Sequence, residues 1–289
     1  MTLYVTATPI GNLQDFSPRA VQTLKSVGFI AAEDTRVTMK LCQVFDIHTP
    51  LVACHMHNEE SKGEELAEKM LRENVDAALV TDAGTPCVSD PGHLFVKACL
   101  DRGITVVPVP GPSAAVAALS VSGFPCRTWK FYGFLPREKK ELQEALLQIP
   151  RETGIGIVHE SPYRVLNLLE TVAQVLPEAS VSVSCDLTKL HELTLRGPAE
   201  EVLRRMQDNP KAEKGEYCLV LDVSACRKDE PEEKKQEELP LELELLKRML
   251  EGTALRDAQT ELVEAGAKKN AVKAAALHIK KSLLEEDVW

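Results

Sequence analysis

Residues 80–92 read VTDAGTPCVSDPG, an apolar strand end running into a turn of glycine, proline and small hydroxyl residues. Glycine in such a turn lets the backbone come close to a ligand, and proline stiffens it. The run before it, Ala77–Thr81, is short and continuously apolar, as in a strand of a parallel sheet buried on both faces. Two more strand ends share this character. TPIGN (8–12) follows Leu3–Ala7, and PVPGPSA (108–114) follows Thr105–Val109. Phe29–Ala32 and Leu51–Ala53 are the remaining predicted strands, with helices predicted at 17–26, 37–45, 62–73, 91–102 and 113–121. This alternation makes residues 1–123 an α/β domain with a mainly parallel sheet. Ligands collect at the C-terminal ends of such strands, so the Gly/Pro turns predict a crevice there.

A different pattern follows a boundary near 122–128. Strands are predicted at 129–134, 155–159, 180–186, 192–197 and 217–223, with helices at 138–148, 164–175 and 199–207. Adjacent strands without an intervening helix indicate a mixed sheet, so 124–223 reads as an α+β domain. Residues 224–240, SACRKDEPEEKKQEELP, are almost devoid of apolar side chains and read as a charged linker. The remainder, 241–289, is predicted to be a small helical domain, helical throughout 241–285, with a helix-turn-helix-like pair meeting at Gly266.

Composition narrows the partners. The net charge of −10 disfavours a protein that coats free nucleic acid, yet allows a local basic patch to dock on a structured RNA. The N-terminus MTLYVTATPIGN has no basic leader or cleavage site, and no run nears the roughly 18 apolar residues of a membrane span, so a soluble cytoplasmic protein is expected. The eight cysteines include no CxxC pair and read as reduced thiols. Cys54, His55, His57 and Glu59 have metal-binding atom types, but no second ligand pair accompanies them, so no metal is predicted.

None of the loops is a GxGxxG or GxxxxGK[ST] motif, which argues against a dinucleotide or triphosphate. Glycine backbone with Thr85, Ser89 and Ser113 suits a ligand without large negative charge. The ordered peptides YVTATPIGNLQDFSPRA (4–20), AAEDTR (31–36), HMHNE (55–59), VTDAGTPCVSDPG (80–92), VPVPGPSA (107–114), FYGFLPR (131–137), ESPYR (160–164), LTKLHE (187–192) and KGEY (214–217) carry a resemblance. They resemble the tetrapyrrole-methylase superfamily and, within it, the 16S rRNA (cytidine-2'-O)-methyltransferase family, ribosomal RNA small subunit methyltransferase I. The resemblance implies an α/β protein of the class III methyltransferase type. Two α/β domains would flank an S-adenosylmethionine (AdoMet) cleft, with the C-terminal helices as an appendage. It also implies a homodimer acting on 16S rRNA or the small ribosomal subunit.

By the same resemblance Pro9, Ile10, Gly11, Gly84, Thr85, Val88, Ser89, Ser113 and Ala114 lie against the cofactor. Ser113 also suits a helix N-cap. Glu33, Arg36, His55, His57, Asn58, Asp90, Arg137, Ser161, Tyr163 and Arg164 fall on the RNA side. A ribose hydroxyl must lose a proton during methylation, and the residues leave Asp34, Glu160 and Lys189 open as acceptors. Asp34 and Glu33 beside Arg36 fit an ordinary ion pair as well. The chain departs from the family's pattern at Cys185, where an arginine is usual, and at Met56, where an acid is common. Two alternatives remain at this point: a methyltransferase for a corrin or porphyrin precursor, and a non-catalytic RNA-binding assembly factor.

Overall fold

The computed structural model describes residues 1–56, 58–226 and 240–280. It contains two compact units, Met1–Arg227 and Lys228–Trp289. His57 and most of the charged segment 224–240 lie outside the described residues.

The first unit opens with five parallel strands, β1 (Thr2–Thr6), β2 (Phe29–Ala32), β3 (Leu51–Ala53), β4 (Ala77–Val80) and β5 (Thr105–Val109), in the order β3-β2-β4-β1-β5. Alternation within each strand explains its double burial. Phe29, Ala31, Ala77 and Leu79 face a core shared with α3 (Glu59–Glu73) and α4 (His93–Asp101). Ile30, Ala32, Ala78 and Val80 face α1 (Pro18–Ser26) and α2 (Thr35–Val44). Local chemistry sets the helix ends. Ser17 accepts the Ala20 N–H at 3.1 Å with Pro18 in the first turn, and Asn74 closes α3 in the left-handed region at φ 54°.

The second sheet contains β6 (Lys130–Phe134), β7 (Ile155–Glu160), β8 (Ser180–Cys185), β9 (Leu193–Pro198) and β10 (Tyr217–Asp222), ordered β6-β7-β10-β8-β9. Only β6 and β7 are parallel; the other neighbours are antiparallel, giving the expected mixed sheet. One face packs on α6 (Lys139–Glu152), α7 (Val165–Val175) and α8 (Ala199–Gln207) through Leu146, Ile149, Leu168, Leu169, Val202 and their neighbours. Each such fully buried side chain contributes roughly 1.5–3 kcal/mol by leaving water. Helix α6 runs past Pro150, beyond the predicted end at 148, because buried Ile149 anchors its last turn in this core.

The other face of the second sheet is covered by α5 (Ala114–Ser122). Ala115 and Ala118 pack with Ile155, Ile157, Cys218 and Val220. Sequence order groups this helix with the first five strands, but its packing belongs to the second sheet. Gly123 ends it at φ 78°.

The C-terminal unit is three helices, α9 (Leu241–Leu250), α10 (Leu255–Glu264) and α11 (Lys269–Ile279), around Leu245, Leu262, Val272 and Ile279. The segment is therefore not helical throughout. Gly252 and Gly266, at φ 98° and 105°, turn the chain between helices, and 281–285 lie outside the described residues. The α10–α11 pair flanks Gly266 as expected.

Candidate functional site

Strand order places the three Gly/Pro turns side by side, because β4, β1 and β5 are adjacent and point the same way. Hydrogen bonds then lace the turns together. The Thr8 N–H donates to Gly84 O at 2.9 Å and the Gly84 N–H returns to Thr8 O at 3.1 Å. The Thr85 hydroxyl donates to Pro112 O at 3.1 Å. Gly84 holds φ +88°, and a β-carbon there would lie 3.4 Å from Ile10 Cγ2.

These turns form one wall of a cavity of about 430 Å³, with Ile10, Gly84, Thr85, Val88, Ser89 and Asp90 exposed to it. The start of α5, Ser113–Ala115, lines it too. Ser113 occupies the N-cap position, but its hydroxyl makes no capping bond. The opposite wall comes from strand ends of the second sheet: Phe131 and Phe134 from β6, His159 and Glu160 from β7, and Gly215–Cys218 leading into β10. This volume falls within the usual range for small-molecule sites. Close backbone approaches join the walls. A β-carbon on Gly11 would lie 2.6 Å from Lys189 Cγ and 2.8 Å from Thr188 Oγ1.

Charge on the wall is one-sided. Asp90, Glu160 and Glu216 line the cavity, and no lysine or arginine does among the described residues. Glu160 is 2% exposed. Its Oε1 accepts the Ser161 N–H at 2.7 Å, while Oε2 makes no hydrogen bond among the described residues and lies 3.3 Å from Arg164 Nη2. Beside it, His159 meets Phe131 and Phe134 edge-on, at centroid distances of 5.0 and 5.9 Å, and its buried Nε2 has no hydrogen-bond partner among the described residues. Burial holds the His159 imidazole below its ordinary pKa, hence neutral at pH 7. Burial pushes the Asp90 carboxyl up to about 6; the Thr81 hydroxyl opposes this, and the charges of Glu33 and Asp82 add to it.

Several residues predicted for the site lie off the cavity wall, for identifiable reasons. Gly11 lets the first turn pack on the β8–β9 connection, and Pro9 likewise lies off the wall. Asp34 caps α2 through the Arg36 N–H at 2.8 Å and holds the Arg36 guanidinium at 2.6 Å. Those bonds bring its carboxyl down to about 2, making it a weak proton acceptor. Burial pulls the Lys189 ammonium down, but hydrogen bonds to Glu216 and Asp186 outweigh this and hold it above the lysine range. That ammonium is therefore a poor base. Glu33 accepts the Thr81 hydroxyl at 2.6 Å, and Arg36 stays 87% exposed. Asn58 accepts the His55 N–H at 2.8 Å and so shapes the turn between them. Arg164 is committed to Leu135 O, Pro136 O and Glu160, whereas Arg137 and Tyr163 are exposed and Ser161 lines the cavity. Glu59 accepts the Gly92 and Leu94 N–H groups at 2.8 and 2.6 Å. Burial raises the Cys54 thiol to about 11. Sequence reasoning missed the Phe131, Phe134, His159 and 215–218 wall, although FYGFLPR and KGEY stood out as motifs.

The family model of the Tetrapyrrole (Corrin/Porphyrin) Methylases matches residues 2–203. The chain is 44% identical over 232 residues to the ribosomal RNA small subunit methyltransferase I of Halalkalibacterium halodurans, covering 80% of this chain and 79% of the relative. It is 40% identical to the proteins of that name in Bacillus subtilis, over 95% of this chain and 89% of the relative, and in Escherichia coli O157:H7, over 98% and 92%. The chain belongs to the ribosomal RNA small subunit methyltransferase I family. Solved structures of a diphthine synthase (TM-score 0.59, 10% identity, 77% of this chain and 89% of that one) and of a cobalt precorrin-4 methyltransferase (0.56, 14%, 76% and 94%) share its fold. As a ribosomal RNA small subunit methyltransferase I family member it is a methyltransferase, so it must take a methyl donor. In this family member, no helix among the described residues is long and apolar enough to cross a membrane.

Proposed function

We propose that the protein transfers a methyl group from AdoMet to the 2'-hydroxyl of a cytidine ribose in 16S rRNA of the small ribosomal subunit. The observation that carries this reading is the joined-wall cavity, lined by three carboxylates and by no lysine or arginine among the described residues, in a chain that matches a family member over 98% of its length. AdoMet carries a sulfonium and an ammonium, which suit a wall that presents carboxylates while Lys189 and Arg164 are held in ion pairs with Glu216 and Glu160. The α5 N-terminus, where Ser113 makes no side-chain capping bond, suits the cofactor's carboxylate. Gly84 and Ile10, Val88 and Ser89, and neutral His159 complete the proposed cradle.

Bound there, AdoMet would supply a methyl group activated on sulfur. The protein's own tasks are then to hold the accepting oxygen in line and to take its proton. Alignment alone supplies on the order of 7–11 kcal/mol in favourable cases. Exposed Phe134 and Tyr163, together with Ser161, form the proposed RNA-side lip, where aromatic faces can stack on an unpaired base. We assign the active form as a homodimer in the cytoplasm. Mapping 2'-O-methylation on small-subunit RNA from cells with and without the gene tests this reading. An unchanged map, with AdoMet bound to the purified protein, would refute the RNA target.

Two further outcomes are expected. Asp34→Asn keeps a competent N-cap, so AdoMet affinity should stay within about twofold while RNA turnover falls through loss of the Arg36 arrangement. Equal losses in both would place Asp34 against the cofactor. Deleting 241–289 should leave AdoMet affinity unchanged but weaken RNA methylation. Lys268, Lys269, Lys273 and Lys280 are exposed on and beside α11, a basic group on an acidic protein; Lys281 lies outside the described residues. The salt dependence of RNA affinity should flatten by about 0.7–0.9 for each phosphate that the truncated protein no longer neutralises. An unchanged salt slope with full activity would leave the three helices a structural cap.

A further inference from the structure

Methylating a hydroxyl requires something to take its proton, and the cavity offers three carboxylates for that task. Glu216 is engaged by the Lys189 ammonium at 2.9 Å. Glu160 has one oxygen on the Ser161 N–H and the other 3.3 Å from the Arg164 guanidinium, so it too is held in an ion pair. Asp90 differs from both: it is half-buried on the wall, and no basic side chain pairs with it among the described residues.

The surroundings of Asp90 favour a bound proton. Glu33 at the end of β2 and Asp82 after β4 face it with like charge. The Thr81 hydroxyl opposes this, but it also donates to Glu33 Oε2 at 2.6 Å, which divides it between the two carboxylates. Cys87 of the same turn stays a neutral thiol, its pKa pushed by burial to about 11. Across the cavity stand His159 and Glu160.

The turn that carries Asp90 is also stiff. The buried Glu59 carboxylate grips the Gly92 and Leu94 N–H groups and lies 3.3 Å from His93 Nδ1. A β-carbon on Gly92 would lie 2.5 Å from Leu79 Cδ2. Ser89 is held at φ 65°, with its hydroxyl against the space beside Gly133. A general base needs a fixed position and a proton affinity near the working pH, and this turn supplies the first.

Resting on the methylation reading above, we infer that Asp90 is the group that accepts the proton of the hydroxyl being methylated. The hydroxyl O–H bond breaks and its proton passes to the Asp90 carboxylate. The freed electron pair forms the new C–O bond to the donor's methyl carbon, and the donor's C–S bond breaks with its pair left on sulfur. The Asp90 acid then returns its proton to water. A pKa raised to about 6 leaves the carboxylate ionised at pH 7 yet more basic than an ordinary aspartate.

The test uses full-length protein, purified small ribosomal subunits lacking the modification and saturating AdoMet. Asp90→Asn should lower the single-turnover rate at saturating AdoMet and subunit by about 10²–10⁴-fold, far more than it lowers the affinity for either. The wild-type rate should fall as pH drops through about 6, because protonated Asp90 cannot accept, and the Asn variant should lose that inflection. Asp90→Glu, which keeps a carboxylate, should retain more than about a tenth of the rate, well above the Asn variant. Carboxyl NMR of the cofactor-free protein should show a transition near 6 that is missing in the Asn variant. An Asn variant as fast as wild type, a Glu variant as slow as Asn, or a carboxyl titrating below pH 4 would overturn the proposal. Those results leave the substrate reading standing if wild type methylates the subunit; an inactive wild type that still binds AdoMet overturns both.

Discussion

Gly84→Leu is expected to abolish AdoMet binding, reducing affinity by at least about 100-fold, roughly 2.7 kcal/mol. Two effects act together. The backbone at φ +88° costs a side chain about 1–3 kcal/mol of strain. Relief of that strain moves the turn, which is hydrogen-bonded in both directions to Thr8 and is followed by the Thr85–Pro112 bond. The leucine would also press on Ile10 Cγ2, which a bare β-carbon already reaches at 3.4 Å, and take up cavity space. Calorimetry with AdoMet beside urea unfolding of the same sample reads both effects. A folded variant that binds normally would show that the turn is not the cofactor wall. Substitutions at Pro9 and Ser113 should weaken binding more mildly, since Pro9 lies off the wall and Ser113 contributes one hydroxyl.

Glu59→Ala is expected to lower stability by roughly 3 kcal/mol, because charged hydrogen bonds contribute about 1.5–3 kcal/mol each and their loss strands buried donors. Glu59 is 3% exposed and satisfies two N–H groups at the start of α4, which otherwise lacks a side-chain cap. For a unit of this size the midpoint of thermal unfolding should drop by about 6–12 °C. AdoMet affinity should fall about tenfold as well, roughly 1.4 kcal/mol, since Ser89 and Asp90 lie just before the loosened end. A thermal midpoint within about 1–2 °C of wild type, roughly the effect of half a kcal/mol, would show that the cap is dispensable.

Local patterns made the first sheet legible. Short apolar runs fell on all five of its strands, and the three unusual turns proved to be neighbours once the strand order was known. The second wall was harder to read because it depends on pairing between distant segments. Tyr217 stands opposite Glu160 only because β10 inserts between β7 and β8, which no local period reveals. The ion-paired states of Asp34 and Lys189 had local signs, an arginine two residues after Asp34 and an aspartate three before Lys189. Spacing alone could not separate pairing from catalysis. Helix α5 carried a clearer sign. AAVAALSVS has no polar face, and its Ala115 and Ala118 are buried against the second sheet while Val116 and Val121 stay exposed.

That helix makes the two halves poor candidates for interchange. A fragment cut at residue 124 would leave Ile157 and Val220 without Ala115 and Ala118 over them, an apolar sheet face open to self-association. The complementary fragment would end in a small, greasy helix with nothing to lie on. A graft that exchanges the second half with a relative's must therefore carry the chain from about residue 113 onward. The seam suited to recombination then passes through the rim of the cavity itself, so the cofactor wall and the half that covers it must be inherited together.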